Sequence, residues 1–487
     1  MSDSNRLRLT VLKEVTFGTT PTTPRMRTMR TTGETMKYEP QFTNSAEIRD
    51  DRMNADPIKT SDENAGGVNF ELSYPVADAP ISIAMASALY SAWGETNSRD
   101  NDGVTDDVIT EVASSGGVIT VDTGTPFVAN ELVRNSGFTN AGNNGTFMCT
   151  TGSATVPAFV SQGLVDETSV AADARMKVVG FEGAAGDITA EATGLGSTAL
   201  DFTTITGLAV GKWVKIGGTA AGDSFATGAL NSWARITSIT SSALTLDNLP
   251  TGWTADVGAA KTIRVFFGDM IRNGTTRSSM TFERGFMGQT TPTYIIQRGL
   301  VAGQMDLSYE TDAVITGSFA FSGLSGEQTT TSLDTEPDDA DTNVVMSANA
   351  NVGRISENGS AVVTPNYVKS LKVTVNNNVR MNGAIGTVGS VDIGAGMCAV
   401  TGSIETYFGS NTLLEKLLAG TATNISSIAA KDNQAFVTTI PRVTFTSGAP
   451  SAGGQNQDVM IPLEFSASYD STTVAHIQFD RFEYYED

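Results

Sequence analysis

Histidine is all but missing from this chain: His476 is the only one in 487 residues. That excludes a His-rich zinc site and an H-E-x-x-H metalloprotease helix. Cysteine is nearly as scarce. Cys149 and Cys398 lie far apart with no C-x-x-C, so no disulfide framework is expected, and a reduced, cytosolic origin fits. No apolar run approaches the roughly 20 residues of a membrane-spanning helix, and the opening M-S-D-S-N-R-L-R-L-T is too polar for a signal peptide, so a soluble chain is expected. Positive charge is short as well: 31 Lys and Arg face 53 Asp and Glu, a net charge of −22. Such a surface repels free nucleic acid and acidic membranes. A conduit through which DNA must slide without sticking is the exception.

Catalytic motifs are also wanting. Neither G-x-x-x-x-G-K-[ST] nor G-x-S-x-G occurs. With 4 Trp and no local acidic–aromatic cluster, a glycosidase cleft is not indicated. His476 reads as a structural residue within an alternating strand. Asp100, Asp102, Gly103 and Asp106 in S-R-D-N-D-G-V-T-D-D faintly resemble a calcium loop. The first-position Asp and the twelfth-position Glu are absent, so a solvated domain junction is the better account. No catalytic residue, metal or cofactor is expected, and the chain is not read as an enzyme.

What the chain has is glycine, 49 of them, and long Thr/Ser/Ala/Gly runs with only 17% charged residues. Many short strands and turns follow from that, in about two to four domains by length. Residues 1 to about 30 form an Arg-rich arm broken by F-G-T-T-P-T-T-P, because proline removes a backbone donor. A strand is expected over Met29–Pro40, a long loop over 42–67 closed by Gly-Gly, and a strand at Val68–Tyr74. A helix should run from Pro80 to Trp93, with proline suited to its first turn. After an insertion, strands are expected at Ser279–Phe286, Tyr294–Glu310 and Val314–Gly323.

The same order recurs. A strand at Val368–Asn382, a Gly-rich loop, a strand at Val400–Phe408 and a helix at Leu413–Leu418 come first. Strands at Ile425–Ala430, Phe436–Thr446 and Val459–Tyr469 follow. The expected fold is mainly β: two tandem β-sandwich or barrel folds, each with one short helix, plus an inserted all-β block. The first fold takes 1–99 and 269–326. An acidic linker takes 327–343, and the second fold 344–487. The block carries its own weaker repeat: Phe127–Phe147 parallels Leu208–Phe225, and Arg175–Gly183 parallels Lys261–Asp269. It divides into modules at 104–183 and 187–268, whose modest apolar content implies that each leans on a neighbour.

Three stretches carry a resemblance to a known family. The first is E-V-T-F-G-T-T-P-T-T-P leading to I-R-D-D-R and G-G-V-N-F-E-L-S-Y. The second is F-E-R-G-F followed by R-G-L-V-A-G-Q-M-D-L-S-Y and V-I-T-G-S-F-A-F-S-G. The third is V-D-I-G-A-G-M-C-A-V-T-G-S-I-E-T-Y-F followed by P-R-V-T-F-T-S-G-A-P and Q-D-V-M-I-P-L-E-F-S-A-S-Y-D. Together they resemble the tail tube (major tail) proteins of long flexible-tailed, siphovirus-type phages. The resemblance implies a virion tail protein assembled in the bacterial cytoplasm, away from membranes, as stacked rings. Two tube folds per chain imply trimeric, pseudo-hexameric rings, with a hexamer as the alternative. The channel would pass double-stranded DNA and hold a tape-measure protein, with tail terminator and tail tip proteins as end partners. Arg25, Arg27 and Arg30 of the arm, and Ile48, Arg49, Asp50, Asp51, Arg52, Asp56 and Lys59 of the long loop, are the candidate contacts between subunits or rings. The inserted modules match no tube element and are expected outside as decoration. A β-rich adhesin or carbohydrate-binding virion protein is the competing class.

Overall fold

The computed structural model describes residues 3–101 and 108–487, so Asp102, Gly103 and Asp106 of the calcium-loop-like run lie outside the described residues. The chain is mainly β, in two large antiparallel sheets. The first half contributes β1 (Leu7–Lys13), β2 (Gly33–Glu34), β3 (Lys37–Thr43), β4 (Ile58–Glu71) and α1 (Pro80–Leu89). Pro80 suits the helix start, where no N–H partner is needed. The helix stops at Tyr90, which turns left-handed at φ 49° and ψ 44°. After residues 98–266 the half resumes with β5 (Asp269–Arg272), β6 (Met280–Phe286), β7 (Thr293–Glu310), β8 (Thr316–Ser322) and β9 (Ser325–Thr329). The second half contributes β10 (Val352–Glu357), β11 (Val368–Asn376), β12 (Arg380–Gly383), β13 (Ser390–Gly394), β14 (Ala399–Tyr407) and α2 (Thr412–Ala419). It ends with β15 (Thr423–Lys431), β16 (Gln434–Gly448), β17 (Ser451–Ala452), β18 (Val459–Ala467) and β19 (Gln478–Phe482).

Strand pairing repeats between the halves. β1–β6–β7–β8–β4 is matched by β10–β15–β16–β18–β14, and β9 lies along the start of β7 as β19 does along β16. The irregularities repeat too. The register shifts between the Met280–Leu300 and Phe282–Gln297 pairs, and again between Thr423–Val443 and Ile425–Ile440. A second shift follows Ala302–Phe321 in one half and Phe445–Phe465 in the other. The same displacement along the chain separates Gln297 from Ile440, Leu300 from Val443 and Ala302 from Phe445. Bulges are position-specific features, so two bulges at matching places mark two copies of one fold. Gly66 faces Phe321 as Gly402 faces Phe465. A Cβ on Gly66 (φ +143°) would meet the Met36 backbone at 2.4 Å, and one on Gly402 the Lys372 carbonyl at 2.1 Å.

Residues 98–101 and 108–266 build the second sheet. Strands 109–113, 118–121, 131–136, 145–151, 158–159 and 175–182 pair in a pattern that recurs in 189–191, 194–196, 213–216, 233–239, 243–247 and 264–266. A turn clamp recurs with them. Asn144 accepts from the Phe138 N–H at 2.9 Å and donates to its carbonyl at 2.8 Å; Asn231 holds Phe225 at 2.9 and 2.9 Å. The apolar core of this block is continuous with Ile428, Val437, Phe482 and Tyr485 of the second half. Trp233 stands edge-on to Phe482 and Tyr485, and the Trp213 indole donates to Thr439 at 2.7 Å. The block therefore leans on the second copy, although the chain enters it from the first.

A knot of buried charge fastens the three parts. Asp269, at the start of β5, receives Lys177 of the block at 2.7 Å, Arg481 of β19 at 2.8 Å and the Thr96 N–H at 2.8 Å. Arg481 also donates to the carbonyls of Pro75 and Val76 and to Ser82 of α1, and lies over the Trp93 ring. Burial alone would raise the Asp269 carboxyl; the two cations overcome that and hold it well below the usual carboxylate range. Nearby Asp480 has weaker support, and burial pushes its carboxyl up to about 7.

Several sequence expectations change. The loop expected over 42–67 is mostly a hairpin of β3 and β4, paired from Lys37–Ala65 to Thr43–Ile58. Polar residues line both strands because they project from the body, so the apolar alternation that signals a strand is missing. The Met29–Pro40 strand is broken into pieces, and the Val368–Asn382 strand divides into β11 and β12. His476 precedes β19 rather than lying within it. The acidic stretch 327–343 begins in β9 and is then tied down. Glu283 accepts from Ser332 at 2.7 Å and from the Leu333 N–H at 2.6 Å, and Asp334 accepts from the Met26 N–H at 2.9 Å.

Two substitutions separate the buried carboxylates. Asp269→Ala removes the buried carboxylate that Lys177 and Arg481 share, leaving them only Glu483 at 3.4 Å and Glu95 at 2.8 Å as carboxylate partners, and should cost about 3 kcal/mol, read as a drop in denaturant midpoint. Asp480 binds its proton more tightly folded than unfolded. Its contribution to stability is present below pH ~4 and is lost as pH rises through about 7. Asp480→Asn should therefore be more stable relative to the native chain at pH 8.5 than at pH 5, by the same measurement.

Candidate functional site

The strands that join the copies form one uninterrupted sheet in the order β4–β8–β7–β11–β14–β18–β16. Its hinge is β7. The far half of that strand pairs with β8 on one edge and, on the other, with β11 of the second copy, from Gln304–Asn376 to Glu310–Ser370. Residues directly opposite each other share a face, so rows of side chains can be followed across all seven strands. One row runs Glu71, Thr316, Ser308, Lys372, Ser403, Glu464, Ser447. The next runs Asn69, Ser318, Asp306, Thr374, Thr401, Ser466, Thr444. A third holds Glu310, Ser370, Glu405 and Pro462.

Between these rows lie residues of the opposite face, including Phe70, Leu307, Val373, Phe465 and Phe445, all buried. Phe70 stacks on Phe319 with ring centroids 5.1 Å apart. The sheet thus buries one face and presents another made of hydroxyls and carboxylates. Carboxylates outnumber cations on that polar face. Lys372 is paired with Glu310 at 2.8 Å, and that partner holds the Glu310 carboxyl below its ordinary range. Asp306 accepts from Thr374 at 2.6 Å and Gln304 at 2.7 Å. The surface offers duplex DNA no array of cations and no aromatic platform.

The candidate contact residues fall into two groups. Ile48, Arg49, Asp50, Asp51, Arg52 and Asp56 sit at the tip of the β3–β4 hairpin, and Lys59 at the start of β4. Ile48, Met53, Phe42 and Ile58 are exposed there. Arg49 bonds Asp51 at 3.0 Å, and that contact lowers the Asp51 carboxyl. Lys59 reaches Asp62 at 2.7 Å, which raises its ammonium pKa. The second copy has a counterpart that the Gly-rich sequence concealed: β12 and β13 form a hairpin with Met381, Ile385, Val388 and Val391 exposed. Each copy therefore projects an apolar-tipped hairpin between equivalent strands.

The arm arginines are engaged within their own chain. Arg25 meets Asp338 at 3.0 Å, Arg27 meets Asp341 at 2.6 Å, and Arg30 donates to the Asn343 carbonyl at 2.5 Å. Their acidic partner is thus residues 334–343, the stretch that joins the halves. Among the described residues no group of three His, Cys, Asp or Glu is placed to hold a metal ion. No described helix is long and apolar enough to cross a membrane.

The polar face was half-visible in V-K-S-L-K-V-T-V and T-G-S-I-E-T-Y, where polar and apolar residues alternate. The bulges obscured it, because each extra residue reverses the alternation. No curated protein matches the chain. A family model described as phage tail tube protein matches residues 4–467. With nearly its whole length covered, the chain belongs to the phage tail tube protein family.

Proposed function

We propose that three chains close head to tail into a ring of six tube folds, that rings stack through the paired hairpins, and that the polar face of the joined sheet lines a DNA channel. Family membership already makes the chain a structural component of the phage tail, assembled into a tube of many subunits. The observation that carries the finer reading is β7, whose second edge is completed by the other copy. Each chain supplies eight strand positions to this sheet once β2 and β3 are added beside β4. At about 4.8 Å between strands, three chains give a backbone-to-backbone diameter of roughly 37 Å before tilt widens it, and six chains about twice that. The smaller bore guides a single duplex; the larger leaves it loose. An acidic, hydroxyl-rich wall repels phosphates and lets DNA move without sticking.

In this reading the lumen holds a tape-measure protein before DNA arrives, and terminator and tip proteins cap the ends. Subunits assemble in the host cytoplasm. Residues 98–266 stand outside, since the block leans on the back of the second copy. Deleting the block would uncover Phe482 and Tyr485, so labelling is the cleaner test. Antibody against 108–266 should decorate the outside of hollow tubes in electron micrographs. Tubes that never take label, with label on fibres or capsids instead, would contradict the reading and favour an adhesin.

Two further outcomes are expected. Ile48→Asp and Ile385→Asp change exposed tips, so monomer stability should stay within about 0.5 kcal/mol. Tube length in micrographs should nevertheless fall sharply; tubes of normal length would remove the hairpins from ring stacking. Glu71→Lys with Glu464→Lys puts cations on the channel wall. Tubes should still form, but DNA ejection in vitro should slow at low salt and recover as salt rises. Unchanged ejection would place that face away from the DNA.

A further inference from the structure

The contact between the two copies inside one chain is a template for the contact between chains. In the first copy, residues 304–308 of β7 are flanked by β8 and by β11, and β11 continues along 309–310. Their counterparts in the second copy are residues 447–453, located by the shared bulge that pairs Gln304 with Ala320 and Ser447 with Glu464. This stretch pairs with β18 on one edge, through Ser447–Glu464, Gly448–Leu463, Ser451–Met460 and Ala452–Val459. Its other edge pairs with no strand among the described residues, and Ser447, Ala449, Pro450, Ser451 and Ala452 are exposed.

The missing partner has a counterpart as well. β11 lies beside β14 as β2 and β3 lie beside β4. Leu371 faces Ile404 and Thr374 faces Thr401; Glu34 faces Val68 and Lys37 faces Ala65. Residues 33–39 therefore occupy in the first copy the place of 370–376 in the second. Among the described residues they pair with no strand but β4, so their outer edge also lacks a strand partner, although side chains hold the Met36 groups and Gln297 donates to the Lys37 carbonyl at 3.0 Å. One chain thus carries both halves of the β7–β11 contact without a strand partner, one at each end of its sheet.

Resting on the ring proposed above, we infer that residues 447–453 of one chain add in antiparallel pairing to residues 33–39 of the next. The register copied from Gln304–Asn376 to Glu310–Ser370 sets Ser447 opposite Glu39 and Ala449 opposite Lys37, with Gly453 opposite Gly33. Pro450 then faces Met36. Proline has no N–H to give. The Met36 N–H is already held by Glu34 at 2.6 Å, and its carbonyl is taken by the Arg284 guanidinium. The position that lacks a donor thus meets one whose groups are already satisfied. Both edges hold proline or charge, Pro450 on one and Lys37 and Glu39 on the other, features that discourage indiscriminate strand addition. The partner is a second copy of this chain, and a head-to-tail contact of this kind closes into a ring.

Paired cysteines test the register. The double variant Ser447→Cys with Glu39→Cys, oxidised after assembly, should run on non-reducing gels as a ladder ending at a closed trimer. Either substitution alone should give no ladder, and neither should Ser451→Cys with Glu39→Cys, which is out of register. Tubes that form yet crosslink only in the shifted pair, or in none, would overturn the inference while leaving the tube itself standing. Native protein that forms no tubes would overturn the underlying function instead. A ladder closing at six would support the register and overturn the count of three. Should the double variant fail to assemble, hydrogen exchange of the native chain decides. Amides in 33–39 and 447–453 should exchange roughly tenfold or more slowly in tubes than in monomers; equal rates would overturn the inference.

Discussion

Along β7 the backbone hydrogen bonds of two copies of one fold are completed by a single strand. At eighteen residues it is the longest strand described. Its first half serves its own copy through β6 and β9; its second half is shared with β11 of the other. From that one strand follow the continuity of the polar sheet, the single acidic face and the pair of open edges at the sheet's ends. The two copies are joined once within the chain, through β7 and β11.

A second constraint is the burial of charge at Asp269. Lys177, Arg481 and Asp269 come from the inserted block, the C-terminal strand and the return to the first copy, and all are buried. Such a knot adds little net stability beside an apolar equivalent, but it is intolerant of losing one member. It therefore helps fix the block against the second copy.

The duplication was legible in the sequence because strand order and spacing survive even where residues diverge. G-G-V-N-F-E-L and G-S-I-E-T-Y-F still align around Gly66 and Gly402, where a side chain has no room. The repeat within the block was legible for a similar reason, since Asn144 and Asn231 hold the same turn. What the sequence hid has physical causes. The β3–β4 hairpin is polar on both sides because it projects from the body. The β12–β13 hairpin is masked by glycines. The knot joins residues far apart in the chain, and nothing local marks Asp269 as its centre. The arm arginines were visible as a cluster, but their partner, residues 334–343, lies beyond the reach of any local pattern.

The most direct measurement is the rotational symmetry of single rings in averaged electron micrographs of tubes. Three chains per ring would give threefold averages with six similar densities around the channel and three larger outer lobes from residues 98–266. Strict sixfold averages, with six outer lobes, would mean six chains per ring and would contradict the ring of three.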